Sequence, residues 1–319
     1  MSAPSQSALA QSVLAEGLVR DFTAQQPIRA GSFIVTIYGD AVAPRGGTLS
    51  LASLLGLMSE VGASESLVRT AVSRLAADGW LSGRRRGRHS FYSLTETGSR
   101  RFEAATRRIY LGAPADWSGD WEVVLLPGGA GERRESLRKS LRWLGFGQAG
   151  PAVMIHPQPD REALAALLAE PGAAEAALLI SGSADLSGKA PVLARLVAES
   201  WDLEALAEGY RRFLVRFRPL GAALAGGSEL APLSCLLVRL LLIHDYRKVI
   251  LRDPALPAVL LPEDWPGREA QALCREVYEA VVTGAEAWVS ENLRRDDGPL
   301  PPAGEAFWTR FGGLRPQSA

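Results

Sequence analysis

Arginine and hydroxyl side chains gather in one part of this 319-residue sequence, between Ser64 and His89. Ser64, Ser66, Arg69, Thr70, Ser73 and Arg74 come first, and Arg84, Arg85, Arg86, Arg88 and His89 follow a short interval later. These side chains bind anions. Guanidinium groups offer forked donors to phosphate oxygens or to the O6 and N7 of guanine, and hydroxyls donate to either kind of acceptor. From Ser64 to Tyr110 there are ten Arg against four acids, Glu65, Asp78, Glu96 and Glu103, although the whole chain balances 35 basic against 35 acidic residues. Charge is therefore segregated, and a net charge of zero does not argue against a nucleic-acid partner.

Nothing elsewhere assembles a catalytic set. His89 lies in the basic run, His156 precedes a proline, and His244 sits in an apolar stretch beside Asp245; a lone helical histidine of that kind reads as a satisfied core or interface residue. Cys235 and Cys274 form no CxxC and adjoin no histidine cluster, so neither a disulfide framework nor a metal site is expected. Gly145, Gly147 and Gly150 spell G-x-G-x-x-G with Glu170 twenty residues on. A dinucleotide fingerprint needs a strand before it and a helix after it, whereas here a helical pattern precedes and Pro151 with a strand pattern follows. The reading is a Gly-rich connection, no cofactor, and no enzyme.

The basic side chains need elements to present them. Ile34, Ile37, Tyr38 and Ala41 within residues 31–42 have the spacing of a helix face, and Pro44, Gly46 and Gly47 stop it. Ser50 caps a second helix with Leu51, Leu54, Leu55 and Met58 on one side, and Gly62 breaks the chain again. Ser64 and Glu65 start a third helix that runs to about Asp78, with Gly79 as the left-handed residue that favours a helix end. At about 100° per residue, Leu67, Val68, Ala71, Val72, Leu75 and Ala76 fill one half of its wheel. Ser66, Arg69, Thr70, Ser73, Arg74 and Ala77 fill the other.

Directly afterwards Trp80 and Leu81 open a strand, Gly87 sits in a turn flanked by arginines, and Phe91, Tyr92 and Leu94 return. Alone, the helix reads as a solvated surface helix and the hairpin as a solvated charge run. Two helices, a polar-faced third helix and an Arg-tipped hairpin, in that order, predict a winged helix-turn-helix over residues 28–112 that contacts double-stranded DNA.

The runs SFIVTIYGD, ESLVRTAVSRLAADGWL, GRHSFYSLTETGSRRF, DWEVVLLP, LRKSLRWLGFGQAGPAVMIHP and HDYRKVILRDPALPAVLLPEDWPG resemble the PaaX family of bacterial regulators, named for repression of phenylacetic acid degradation. The resemblance extends over nearly the whole chain after residue 30. It implies an N-terminal winged helix, a central ferredoxin-like domain similar to Cas2 and a helical C-terminal domain, in a homodimer that releases operator DNA on binding an aryl-acyl-CoA such as phenylacetyl-CoA. Similarity to Cas2 also raises a nuclease alternative. That chemistry relies on an Asp at the end of the first strand, and here the strand ends Leu126-Pro127-Gly128.

The pattern of the remaining residues agrees with a multidomain α+β chain. Strand-like Trp121–Leu126, Ala152–His156 and Ala176–Ser181 alternate with helical Glu132–Leu144 and Asp160–Ala169, so a ferredoxin-like domain is expected over 117–186. Helical patterns dominate from Pro191, giving a C-terminal helical domain over 190–312, in which Arg268–Asn292 is either part of a dimer interface or internal packing. Residues 1–27 read as a disordered polar tail: they hold no basic residue before an apolar core and include Glu16, unlike a secretory signal. No apolar run is long enough to span a membrane, and a cytoplasmic location is expected.

An acyl-CoA pocket combines cations with aromatic walls. Two clusters answer that description, Arg133, Arg134, Arg138 and Arg142 around Trp143, and Arg211, Arg212, Arg216 and Arg218 downstream of Trp201. Solvated helix faces explain either one equally well.

Overall fold

Where a tail was expected, the chain forms a helix. The computed structural model describes residues 5–25, 28–111, 117–128, 131–184 and 189–314. Residues 1–4 and 26–27 of the expected tail lie outside these, but the rest is built into α1 (Gln6–Ala24), capped by the Ser5 hydroxyl, which accepts from the Ala8 N–H at 3.0 Å. Its buried stripe is Gln11, Ala15, Leu18 and Phe22. Gln11 hides the pattern from the sequence, and its amide is fully used: Nε2 donates to the Ala223 and Gly227 carbonyls, each at 3.0 Å, and Oε1 accepts from the Glu229 N–H at 2.8 Å. Those are backbone groups at and beyond a helix C-terminus, where carbonyls lack partners within their own helix.

Up to residue 106 there follow α2 (Ala30–Ile37), β1 (Thr48–Ser50), α3 (Leu51–Ser59), α4 (Glu65–Ala77), β2 (Leu81–Arg86), β3 (His89–Leu94) and α5 (Glu96–Thr106), with a wider i→i+5 turn over Tyr38–Val42 replacing the end of the helix expected across 31–42. Next come β4 (Asp120–Leu125), α6 (Glu132–Trp143), β5 (Gly147–Gly150), β6 (Val153–His156), α7 (Arg161–Leu168), α8 (Ala173–Ala176) and β7 (Leu178–Ser183). The chain continues with α9 (Ala190–Ser200), α10 (Leu203–Leu224), α11 (Pro232–Ile250), α12 (Gly267–Asn292), β8 (Arg294–Arg295), β9 (Gly298–Pro299) and α13 (Glu305–Trp308).

By packing, these elements gather into two compact units. One unit comprises Met1–Gly112, Arg212–Lys248 and Arg268–Ala319; the other comprises Ala113–Arg211 and Val249–Gly267. The boundaries fall inside α10 and α11.

The first unit holds a three-stranded antiparallel sheet in the order β1-β3-β2. Helix α11 is buried at every position from Cys235 to His244, and α12 buries Ala270, Leu273, Cys274, Val277, Tyr278, Val281, Val282, Ala285 and Val289. This stripe of the long helix is internal packing. Between these elements lies a charge network. Asp40, on the wide turn, accepts from the Tyr110 hydroxyl at 2.8 Å and the Tyr278 hydroxyl at 2.9 Å, and pairs with Arg239 Nε at 2.8 Å and Arg310 Nη1 at 3.0 Å. Glu286 pairs with Arg239 Nη1 at 2.7 Å and with Arg45. Burial opposes the charge of Asp40, yet the two guanidinium groups and two hydroxyls outweigh it and hold its carboxyl below the ordinary carboxylate range.

His244 is a satisfied core residue, as its solitary setting predicts. Its ring meets Phe22 and Phe33 edge-on, and Nδ1 lies 2.9 Å from Thr36 Oγ1, which also accepts from Arg247 Nε at 2.8 Å. Burial, reinforced by Lys248, Arg247 and Arg216, pushes its pKa down to about 2.

The second unit is a β-α-β-β-α-β chain whose antiparallel sheet runs β5-β6-β4-β7. Strand alternation gives the sheet two buried faces. Val124 and Met154 pack with Leu137, Leu141, Phe146 and Leu164 on one side, and Trp121 and Ile155 pack with Val197, Trp201, Leu256 and Leu260 on the other. The glycine run is not a simple connection, because Gly147–Gly150 is the edge strand β5. Its glycines have packing reasons. A Cβ at Gly147 would stand 2.5 Å from the Trp201 ring, and Gly145, at φ +93°, leaves its carbonyl to accept from Trp201 Nε1 at 2.8 Å. A helix precedes the run and a strand follows it, the reverse of a dinucleotide site.

Candidate nucleic-acid interface

Helix α4 is positioned by its own ends and by its apolar half. The Ser64 hydroxyl accepts from the Leu67 N–H at 3.3 Å, and Gly79 at φ +71° turns the chain out of the helix. Val68, Ala71, Val72 and Leu75 are buried, while Leu67 and Ala76 are half-buried. Ser66, Arg69, Thr70, Ser73 and Arg74 are all exposed. Arg69 meets Glu65, one helical turn away at 3.2 Å, with over half of its side chain in water, and Thr70 bonds back to the Ser66 carbonyl at 2.8 Å.

The hairpin of β2 and β3 pairs Leu81 with Leu94 through Arg86 with His89, so Gly87 and Arg88 form a two-residue turn. Gly87 has φ +59° and Arg88 is not left-handed, the pattern of the tight turns that suit a twisted hairpin. Leu81 and Phe91 anchor the base in the core, and the hydroxyl of Tyr38, at the start of the wide turn, ties that turn to the hairpin by donating to the Tyr92 carbonyl at 3.0 Å. Ser82 through His89 are exposed.

Strand alternation splits what the sequence presents as one basic run. Arg84 and Arg86 share a face, and both engage a segment that sequence reasoning missed, the turn between β8 and β9. Arg84 pairs with the Asp296 carboxylate, and Arg86 Nη1 donates to the Asp296 carbonyl at 3.2 Å. Arg85 lies on the other face. The only hint in the sequence is the adjacent pair Asp296-Asp297, more than two hundred residues from the arginines it meets.

The effector candidates separate. Arg134, Arg138, Arg142 and Trp143 belong to α6 in the second unit, whereas Arg212 and Arg216 belong to the first. Most of their donors are committed within the protein. Arg134 donates to the Gly128 and Pro151 carbonyls at 2.8 and 2.7 Å, Arg138 to Pro151 at 2.9 Å and Glu135 at 2.6 Å, and Arg216 to Asp245 at 2.6 Å and Leu18 at 3.2 Å. Arg142 reaches Gln148 Oε1 at 2.6 Å with half of its side chain exposed, and the neighbouring Trp143 is 62% exposed. Trp201 is a core anchor and walls no open surface.

No group of three or more His, Cys, Asp and Glu gathers in a metal-holding arrangement among the described residues, and no described helix is long and apolar enough to cross a membrane.

Three family models match consecutive parts of the chain: PaaX-like protein over residues 29–98, the PaaX protein central Cas2-like domain over 114–194, and the PaaX-like protein C-terminal domain over 201–291. The Transcriptional repressor PaaX of Escherichia coli (strain K12) is 38% identical over 289 residues, which cover 90% of this chain and 92% of that one. The chain belongs to the PaaX family. Among solved structures, the uncharacterized protein Rv0674 from Mycobacterium tuberculosis is 23% identical with a TM-score of 0.47, covering 74% of this chain and 89% of that one.

Within the PaaX family frame, the first matched range contains α4 and the whole Arg-tipped hairpin. Asp296 lies beyond the last one, so the contact between the hairpin and β8–β9 joins a matched region to an unmatched one.

Proposed function

We propose that this protein is a one-component transcriptional repressor in which residues 28–112 form a winged helix-turn-helix, with α4 as the recognition helix and the β2–β3 hairpin as the wing. The observation that carries the reading is the separation of α4 into a buried apolar half and an exposed half of hydroxyls and arginines, directly followed by an exposed Arg-rich hairpin. Helix α4 enters the major groove, where Arg69 or Arg74 reads a base edge, and the wing holds phosphate. The PaaX repressor of Escherichia coli supports the regulatory role. The strand order of the second unit supports a ferredoxin-like fold, and no carboxylate stands at the end of β4 to support the nuclease alternative.

Two readers on one duplex require a symmetric protein, so the repressor is a homodimer on a palindromic site with half-sites about 10 bp apart or a multiple of that. Its effector is an aryl-acyl-CoA such as phenylacetyl-CoA, which binds the DNA-releasing arrangement more tightly, with a coupling of about 1 to 3 kcal/mol. Arg142 and Trp143 supply an exposed cation and ring for its phosphates and aryl end.

Footprinting followed by titration with thioesters tests this. Protection of a two-fold repeated site, relieved by phenylacetyl-CoA and not by free phenylacetate, is the expected result. A single asymmetric site, or equal release by the free acid, would sink the dimeric acyl-CoA-responsive form.

A further inference from the structure

The turn that meets the wing is built firmly. Leu293 and Leu300, which flank β8 and β9, are buried, and the Leu300 N–H donates to the Leu293 carbonyl at 3.1 Å. Arg294 N–H donates to the Ser53 hydroxyl at 3.0 Å, fixing the hairpin to the start of α3. Pairing of Arg295 with Gly298 leaves Asp296 and Asp297 as the two-residue tip. The two acids differ in what they meet. Asp297 pairs with Arg295 of its own hairpin at 2.7 Å, whereas Asp296 takes Arg84 with its carboxylate and Arg86 with its carbonyl.

A carboxylate and a phosphate make the same request of a guanidinium, two anionic oxygens for a forked donor. We propose that Asp296 is an intramolecular competitor of the DNA backbone, occupying Arg84 and steadying Arg86 until a phosphate displaces it. The inference rests on the reading that the wing holds phosphate. Exposure of the guanidinium permits the exchange: the Asp296 side chain is 20% exposed, but that of Arg84 is 65% exposed, so a phosphate reaches the guanidinium from the solvent side. An exposed pair is weak enough to be displaced. The bound state then leaves Asp296 without its partner, and the free protein binds all DNA less tightly than its wing alone dictates. Because a backbone phosphate carries no sequence information, this lowers operator and non-specific binding by the same factor and leaves their ratio unchanged.

The full-length protein, titrated against a labelled random-sequence duplex at low salt, provides the test. Asp296→Asn should bind about two- to fivefold tighter than wild type, the scale of one exposed ion pair, while Asp297→Asn, the same charge change one residue on, should leave affinity nearly unchanged. Arg84→Ala should weaken binding, and Asp296→Asn added to it should give no further tightening. Thermal melts verify folding, and Asp296→Ser repeats the test with a second side chain. Unchanged or weaker binding by Asp296→Asn overturns the proposal and makes Asp296 a support for Arg84. Equal tightening by Asp297→Asn, or tightening that survives in the Arg84→Ala background, overturns it in favour of a general charge effect. If Arg84→Ala binds like wild type, the phosphate role of the wing falls first, and the proposal with it.

Discussion

The arginines of α4 and the β2–β3 hairpin stand in water, whereas Arg45, Arg239 and Arg310 lie inside the same unit, each no more than 3% exposed. The exposed set has few partners of its own: Arg69 meets a neighbouring Glu, and Arg84 and Arg86 meet one turn. The interior set is surrounded. Three guanidinium groups share Asp40 and Glu286, and rings of Tyr110, Tyr278 and Phe307 lie beneath them, Arg310 standing 4.1 Å above Tyr110 and 4.5 Å above Phe307. Cation–π contact makes up part of what two carboxylates cannot supply to three cations. One residue type thus does two jobs: where its donors are completed internally it fixes the fold, and where they are left to solvent they are available to a partner.

The largest effect that would break this comparison lies in the interior. Asp40→Asn keeps the size of the side chain and removes the charge that Arg239 and Arg310 share, which should destabilise the protein by about 3 to 5 kcal/mol, the range for breaking a buried ion pair. Urea unfolding at neutral pH measures it. A loss below about 1 kcal/mol would mean that the interior arginines are stabilised by the aromatic faces and by Glu286 without Asp40.

These two sets were not equally legible in the sequence. The exposed arginines cluster, so a charge count and a helical wheel found them, and Ser64, Gly79 and Gly87 marked where their elements begin and end. Arg45, Arg239 and Arg310 are scattered, and Asp40, the partner of Arg239 and Arg310, sits on a turn with i→i+5 bonding that no periodicity announces. Helix α1 leaves no helical pattern in the sequence because the polar Gln11 stands in its buried stripe while Leu9 and Val13 face outward. Strand β5, Gly-Gln-Ala-Gly, lacks the β-branched and aromatic residues that mark strands, and its pairing with β6 and the packing of Trp201 form it instead. The Asp296 contact was invisible for the same reason as the interior network, since contacts across hundreds of residues leave no local trace.

A second test sharpens the contrast through pH. His244 is neutral when folded, with a pKa near 2, and takes up a proton near 6.5 when unfolded. Below about pH 6.5 the unfolded state therefore binds the extra proton, and the stability that this group confers, complete above 6.5, declines by about 1.4 kcal/mol per pH unit until the folded pKa is reached. His244→Asn keeps an acceptor near Thr36 and cannot titrate, so the variant should lose less stability between pH 6.5 and 4.5 than the wild type does. Equal slopes would assign the acid sensitivity to other groups. The exposed arginines near the wing should contribute nothing to this slope, being charged throughout.

Among the exposed arginines, α4 should give the larger functional effect. Arg69→Ala and Arg74→Ala change stability by no more than about 0.5 kcal/mol, as surface substitutions do, but one of them should narrow the gap between operator and random DNA by about 1 to 3 kcal/mol, the discrimination of one bidentate base contact. Affinity for both duplexes at matched salt measures the gap. If neither substitution narrows it, reading is done by Ser66, Thr70, Ser73 or by DNA shape.

The smallest effect belongs to the wing, and Arg85 isolates it, because strand alternation turns Arg85 away from the face on which Arg84 and Arg86 meet Asp296. A backbone phosphate carries no sequence information, so Arg85→Ala should weaken operator and random DNA by the same factor and leave their ratio unchanged. With one phosphate fewer neutralised, the slope of log affinity against log salt should become shallower by about 0.9. That change should be the same with Asp296 or Asn at position 296, since Arg85 has no bond to the acidic turn to release, whereas the effect of Arg84→Ala should depend on it. Titrating Arg85→Ala and Arg84→Ala, each with and without Asp296→Asn, at several salt concentrations separates the two faces of the wing. A specificity ratio that falls with Arg85→Ala would place this side chain in a narrow minor groove, reading its width, and would end the division between a helix that reads and a wing that holds.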